Sequence, residues 1–232
     1  MPSASKINLL DAAVTKVTVT GDHGVDFNNS ILTRLVTLDA SGVTGTGAAG
    51  AVSLTFTSSD HSLFVSTGNG NDVLKLGAYR DTVYSSLGSD TITFGAGNDL
   101  YVLQSAAHST ASTFDTITDF VANTKASGST AAAIANGATT TVADLTGDTI
   151  SLKVGSLATA GIVVSVVNNA TAAQDFLNST AAANASAKTT GIALDSTSGK
   201  LYIDLDANGS IDSVITLTGV STLNEAAFVV TH

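Results

Sequence analysis

The sequence predicts an all-β fold, a right-handed parallel β-roll or β-solenoid followed by a β-rich C-terminal cap with one short helix. Three observations predict it. Asp72, Asp81, Asp90 and Asp99 recur every nine residues within STGNGNDVLKLGAYRDTVYSSLGSDTITFGAGNDLYVL. Upstream, apolar residues alternate with Thr or Ser at period two, the pattern of half-buried strands. Aromatics are 5% of the 232 residues and Trp is absent, so the interior must be built from Val, Leu, Ile and Ala, which together with many Thr and Ser favours β-structure. A hydrophobic content of 44% suffices for a continuous apolar interior and excludes a disordered tail.

The charge points in the same direction. The chain carries a net charge of -10, and of its 19 acidic residues only Glu225 is a glutamate. Aspartate suits turns and oxygen-ligand metal sites, whereas glutamate is the better helix former. The 9 Lys and Arg are scattered, leaving no basic stripe for nucleic acid. Cysteine is absent, which rules out disulfides, thiolate metal sites and cysteine nucleophiles. MPSASKINLLDAAVTKVTV lacks the layout of a Sec signal, and no run approaches the ~20 apolar residues of a membrane span. The chain therefore stays inside the cell or leaves by another route; a piece cut from a longer protein is equally open.

In chain order, VTKVTVTG, SILTRLVTLDASG and AVSLTFTSSDHSLFVS read as short strands with polar turns. Residues 1–66 are assigned as a β-stack continuous with the roll, with a separate sheet as the alternative. The linker Gly42–Gly50 contains Gly45, Gly47 and Gly50 in a G-x-G-x-x-G arrangement. A dinucleotide fingerprint needs a helix after it; here the alternating AVSLTFTS follows, so a small-residue turn is the better reading. Residues 67–102 are the roll. STFDTITDF reads as a strand with Asp115 and Asp119 at its ends, and segment 122–143 is the least defined. TGDTISLKV and GIVVSVV are further strands. Asn169–Lys188 carries the one helix, with Phe176 and Leu177 as its apolar contacts. IALDSTSGKLYIDLDANGSIDSVITLTGV gives two or three antiparallel strands, and LNEAAFVVTH closes a cap spanning 103–232.

The nine-residue units are TGNGNDVLK, LGAYRDTVY, SSLGSDTIT and FGAGNDLYV. Asp is always sixth, an apolar residue (Leu74, Val83, Ile92, Tyr101) always eighth, and glycine frequent at positions two and four. This is the pattern G-G-x-G-x-D-x-U-x of calcium-binding parallel β-rolls. Six residues turn and three extend, so two units complete one coil and coils stack on a period of 18. On one edge, Thr67, Gly68, Asn69, Gly70 and Asp72 lie beside Ser85, Leu87, Gly88 and Asp90. On the other, Gly77, Tyr79 and Asp81 lie beside Gly95, Gly97 and Asp99. Carboxylates and backbone carbonyls converge there, the hard oxygen ligands that Ca2+ takes at about 2.3–2.6 Å. Without a cation, stacked aspartates repel. The alternative is aspartate serving only as a turn former, which accounts less well for four in register. LGAYRDTVY is the weakest unit, because Tyr79 replaces a glycine and Arg80 brings a positive charge beside Asp81.

Asp115 and Asp119 are further metal candidates. So are Asp204, Asp206 and Asn208, which with Gly209 and Asp212 match the start of a D-x-D-x-N-G calcium loop. Ile215 stands where that loop needs a glutamate, and strands flank it, so a hairpin with Asn-Gly at its tip is preferred.

GNGNDVL, LGSDTITF and GAGNDLYVL resemble the RTX repeats of proteins exported by Gram-negative type I secretion, and FDTITDF with GDTISL resembles the segment that follows such repeats. GKLYIDLDANGSIDSVITLTGVSTLNEAAFVV is similar to the C-terminal ends that carry an uncleaved secretion signal. LVTLDASGVTGTGAAGAVSLTFTSSDHSLFVSTGNGNDVL is similar to the stretch before the repeats in RTX surface-layer proteins. The resemblance spans most of residues 30–232. It implies a secreted or cell-surface structural protein with few Ca2+ ions, the secretion machinery as a partner, and self-assembly into a lattice. A calcium-dependent adhesin, or the export module of an enzyme or toxin, is the alternative.

Catalysis is not expected. His23, His61, His108 and His232 form no H-E-x-x-H, and no G-x-S-x-G occurs. His61 reads as a polar turn residue.

Overall fold

The computed structural model describes residues 4–56, 61–123, 147–153, 161–183 and 189–231. Most of segment 122–143, from residue 124, lies outside these, as do 184–188 at the end of the helix-forming stretch. The fold is an all-β parallel roll, because the short strands separated by turns climb alternately through two sheets.

The strands entering the roll are β1 (Ser5–Lys6), β2 (Lys16–Gly21), β3 (Val25–Asp26), β4 (Thr37–Val43), β5 (Ser53–Thr55) and β6 (Phe64–Ser66). The nonads supply β7 (Val73–Lys75), β8 (Thr82–Tyr84), β9 (Thr91–Thr93) and β10 (Leu100–Leu103). Then come β11 (Asp115–Ile117), β12 (Thr149–Lys153), β13 (Ile162–Val167), helix α1 (Ala170–Ala183), β14 (Thr190–Asp195), β15 (Lys200–Asp204), β16 (Ser213–Leu217) and β17 (Phe228–Thr231). One sheet runs β1-β3-β5-β7-β9-β11-β16-β15-β14-β13 and the other β17-β12-β10-β8-β6-β4-β2. The strands before the nonads thus stand in the same two sheets as the nonads.

Register follows the repeat. Leu74 pairs with Ile92 in one sheet and Val65 with Val83 in the other, all parallel. Only the middle residue of each three-residue strand points inward. Leu54, Leu74, Ile92 and Ile117 form one inward row, and Leu38, Val65, Val83, Tyr101 and Ile150 the facing one, each at most 1% exposed. Both rows belong to one apolar cluster. Burying each aliphatic side chain stabilises the roll by about 1.5–3 kcal/mol, so the eighth position of the nonad sets both register and core.

The end of the first sheet departs from the roll. β16 is parallel to β11, but β15 is antiparallel to both β16 and β14, the trio of antiparallel strands expected from the sequence. Helix α1 begins at Asn169, whose side chain accepts the Ala172 N–H at 2.8 Å, satisfying one of the free donors of a first turn. Its buried face, Ala173, Leu177 and Thr180, has helical spacing. It packs with Ala193, Tyr202 and Val214 in a second small core, with Phe176 at the margin.

Candidate metal centre

Two columns of aspartate run along the edges where the chain turns from one sheet to the other. Asp72, Asp81, Asp90, Asp99 and Asp115 are at most 1% exposed, and Asp148 is 3% exposed. Carboxylates are almost never buried so fully unless paired. Among the described residues, no ion pair engages any of the six.

The backbone holds half of each carboxylate. On the first edge, Asp72 Oδ1 accepts the Val52 N–H at 2.6 Å, Asp90 Oδ1 the Asp72 N–H at 2.9 Å, and Asp115 Oδ1 the Asp90 N–H at 2.9 Å. On the second, Asp81 Oδ1 accepts the Leu63 N–H at 2.7 Å, Asp99 Oδ1 the Asp81 N–H at 2.7 Å, and Asp148 Oδ1 the Asp99 N–H at 3.0 Å. Each aspartate therefore staples its turn to the preceding one, which fixes its rotamer.

The other oxygen is where the metal question is decided. Oδ2 of Asp72, of Asp90 and of Asp99 is buried with no hydrogen-bond partner in good geometry. Leaving an acceptor of this kind unsatisfied costs about 1–3 kcal/mol, and more when it is charged. Three of them at equivalent places are hard to reconcile with a turn-forming role alone. They fit a hard divalent cation, which takes carboxylate oxygens and backbone carbonyls.

The loops bring the further candidate ligands together. On the first edge the Ser86 N–H donates to Thr67 Oγ1 at 3.1 Å, the Ser86 hydroxyl to Asn69 Oδ1 at 3.3 Å, and the Ser89 N–H to Asn71 Oδ1 at 3.1 Å. The loop of Thr67, Gly68, Asn69 and Gly70 is thus held against that of Ser85, Leu87 and Gly88. Gly88 has φ +132°, and a Cβ there would lie 2.0 Å from the Gly70 carbonyl oxygen; only glycine permits this approach.

The second edge is built less openly. Gly95, at φ +91°, stacks on Gly77, with a Cβ position 2.0 Å from the Gly77 oxygen. Asp81 Oδ2 accepts the Gly77 N–H at 3.2 Å, so this carboxylate has a donor on each oxygen. Tyr79, 46% exposed, stands beneath Gly97, where a Cβ would come within 2.6 Å of the Tyr79 oxygen. Arg80 lies close enough for its charge to act on Asp99, and burial lowers the Arg80 pKa. Its Nε is buried without a hydrogen-bond partner.

Electrostatics express the same geometry. Burial, the largest cause, pushes Asp81 up to about 6 and Asp99 up to about 8, with Asp148 adding repulsion on Asp99. Burial likewise raises Asp72 and Asp90, and Asp90 feels Asp115 and Asp72 as like charges. The folded chain by itself favours protonated carboxyls; holding them all ionised requires a nearby positive charge.

Asp115 and Asp119 sit in the same stack with both oxygens engaged by the protein. Asp115 Oδ2 accepts from Ser85 Oγ at 2.8 Å and from the Tyr101 hydroxyl at 2.5 Å. Asp119 accepts the Phe94 and Gly95 N–H groups at 2.9 and 2.8 Å. Sequence reasoning missed Asp148, whose Oδ2 accepts the Val121 N–H at 2.8 Å. A signal was there: Asp-Thr-Ile occurs at 90–92, 115–117 and 148–150.

The remote candidate is a separate loop. Asp204, Asp206 and Asp212 each offer an oxygen, all within 4.8 Å of one another. Asp204 accepts the Asn208 and Gly209 N–H groups at 3.1 and 2.7 Å, Asp206 accepts the Asn208 N–H at 3.1 Å, and Asp212 accepts the Leu205 N–H at 2.7 Å. The loop joins the antiparallel pair β15 and β16. Hydrogen bonding within a hairpin accounts for its shape, and Asn208 serves the turn. His61, whose ring nitrogen lies 2.8 Å from the Leu35 carbonyl oxygen, packs edge-on against Phe56.

Comparison with known families places this geometry. Residues 66–101 match the RTX calcium-binding nonapeptide repeat, in four copies. The match covers the stretch that carries all three orphaned oxygens, so the cation for which these loops are built is Ca2+. No curated protein matches the chain. Among the described residues no helix is long and apolar enough to cross a membrane.

Proposed function

We propose that the chain, a carrier of RTX calcium-binding repeats, is the C-terminal structural region of a secreted bacterial surface-layer protein, exported by type I secretion and stiffened by Ca2+. The orphaned buried oxygens of Asp72, Asp90 and Asp99 carry the reading. A roll whose turn-to-turn contacts contain such oxygens is incomplete until a cation is present, so rigidity is linked to the calcium of the surroundings.

The chain's residues divide the work. Oδ1 of each aspartate holds the previous turn and orients Oδ2; the glycines let loop backbones approach; the apolar rows keep water from the other side. Bound Ca2+ supplies the positive charge that keeps the carboxyls ionised. The role is structural rather than catalytic: the sequence carries no metalloprotease or lipase motif, and the buried aspartates are committed to stapling turns together. The resemblance of residues 35–74 to the stretch before the repeats in RTX surface-layer proteins supports lattice formation, and that of residues 199–230 to the C-terminal ends of exported proteins supports C-terminal export.

Electron microscopy of the protein with and without calcium tests this. Ordered two-dimensional arrays forming with Ca2+ and dissolving on chelation are expected. A protein that stays monomeric when loaded would count against a lattice and favour an adhesin or an export module of an exported enzyme or toxin.

A further inference from the structure

The aspartate column on the first edge does not end as it begins. Asp115 follows Asp90 by one turn, accepting its N–H as Asp90 accepts that of Asp72. The oxygen that has no partner in good geometry at Asp72 and Asp90, where the Thr67 hydroxyl is shared between the two carboxylates, is doubly occupied at Asp115, by the hydroxyls of Ser85 and Tyr101. These two hydroxyl oxygens are themselves 2.8 Å apart. Ser85, Tyr101 and Asp115 are each at most 1% exposed, so no solvent competes for the contacts.

Tyr101 reaches this point from the opposite sheet. It occupies the eighth, inward position of the fourth nonad, where the other three have Leu74, Val83 and Ile92. A buried tyrosine hydroxyl needs a polar partner, and Asp115 provides one at the far end of this otherwise aliphatic row. Asp115 opens β11, the strand that pairs with β16 and so joins the roll to the antiparallel strands. The substitution therefore falls at the last turn of the regular roll.

We infer that the Tyr101 and Ser85 hydroxyls stand in for a cation at Asp115, making the last rung of the Asp72–Asp90–Asp115 column calcium-independent and confining Ca2+ on this edge to the turns before it. The inference rests on the calcium reading of the nonads. It means that the seam between the roll and the antiparallel strands stays closed whether calcium is present or not.

Calorimetric titration of the full chain with CaCl2 tests it, run on the wild type, on Asp115→Asn, and on Tyr101→Phe combined with Ser85→Ala. Asp115→Asn keeps an acceptor for the Asp90 N–H and is expected to leave the ion count unchanged, with an affinity drop of less than tenfold from the charge lost beside Asp90. The double variant, which frees Asp115 Oδ2, is expected to gain one ion, and to lose more melting temperature in chelator than in calcium. Loss of one ion, or a tenfold drop in affinity, in Asp115→Asn would overturn the inference, as would an unchanged or lower count in the double variant. Should the double variant fail to fold, Asp115→Asn decides alone. A wild type that gives no calcium heat refutes the calcium reading and this inference with it; a wild type that binds while Asp115→Asn loses an ion refutes only the inference.

Discussion

Asp90 performs two separable tasks, and a pair of substitutions separates them. Its Oδ1 accepts the Asp72 N–H at 2.9 Å, and its Oδ2 is buried without a partner. Asp90→Asn keeps an acceptor for the N–H and removes the charge. Asp90→Ala removes both, and leaves the buried Asp72 N–H unsatisfied at a cost of about 1–3 kcal/mol. In chelator, Asp90→Asn also replaces a carboxyl that burial and the like charges of Asp115 and Asp72 make costly to ionise, so it should match or exceed the wild type in stability. Asp90→Ala should fall below Asp90→Asn by that 1–3 kcal/mol, or about 2–12 °C at about 2–4 °C per kcal/mol for a chain of this size. In calcium at 100 times the dissociation constant, loss of one site removes about 2.7 kcal/mol, so Asp90→Asn should melt about 5–10 °C below the wild type and Asp90→Ala lower still by the cost of the unsatisfied amide. Thermal unfolding followed by circular dichroism, in chelator and in calcium, reads all four differences. Equal melting of Asp90→Asn and Asp90→Ala in chelator would refute the stapling role of Oδ1. Equal melting of wild type and Asp90→Asn in calcium would refute the cation role of Oδ2.

Further outcomes follow from the same geometry. Asp81 and Asp99 have folded pKa values of about 6 and about 8, above the unfolded value, so the folded state binds protons more tightly. In chelator their contribution favours folding below about pH 4 and is lost as pH rises through 6 to 8; a melting temperature that rises over that range would contradict it. Calcium stabilisation should move the opposite way, growing as the carboxyls ionise, and a gain independent of pH between 5 and 8 would count against carboxylate ligation. Arg80→Asn, which restores the residue type found at positions 71 and 98, removes a cation acting on Asp99 and should raise calcium affinity; calorimetry showing no gain would sink the claim that Arg80 weakens the second edge. Asp204→Ala leaves the buried Gly209 amide without its acceptor, while the Asn208 amide keeps Asp206, and should cost about 1–3 kcal/mol equally with and without calcium; a loss seen only in calcium would instead make that hairpin a metal site.

The roll was legible because its spacing is a physical constraint. A nonad that turns for six residues and extends for three must return to the same place after 18, so pairing of Leu74 with Ile92 and of Asp72 with Asp90 followed from counting. Counting fails where the turns lengthen. The column continues from Asp90 to Asp115 over 25 residues and from Asp99 to Asp148 over 49, and only the recurring Asp-Thr-Ile carries the signal. Upstream, the same positions are filled by Val52 and Leu63, whose N–H groups donate to the staple without contributing a carboxylate. A glycine column marks these turns instead: a Cβ on Gly70 would lie 2.2 Å from the Gly50 carbonyl carbon. No spacing rule discloses that one oxygen of Asp72, Asp90 and Asp99 is committed to backbone and the other left free, because that depends on stacking distance rather than residue order. Nor could the sequence show Tyr101 reaching Asp115, since one lies in each sheet.

The central claim is that Asp72 and Asp90 hold Ca2+ through the oxygens the protein leaves unsatisfied. A crystal structure of the calcium-loaded protein, with anomalous difference maps, tests it most directly. The account predicts a peak about 2.3–2.6 Å from Oδ2 of both residues, with Oδ1 still on the Val52 and Asp72 amides. Crystals grown in saturating calcium that show no peak between these turns, or an ion only at Asp204, Asp206 and Asp212, would contradict it.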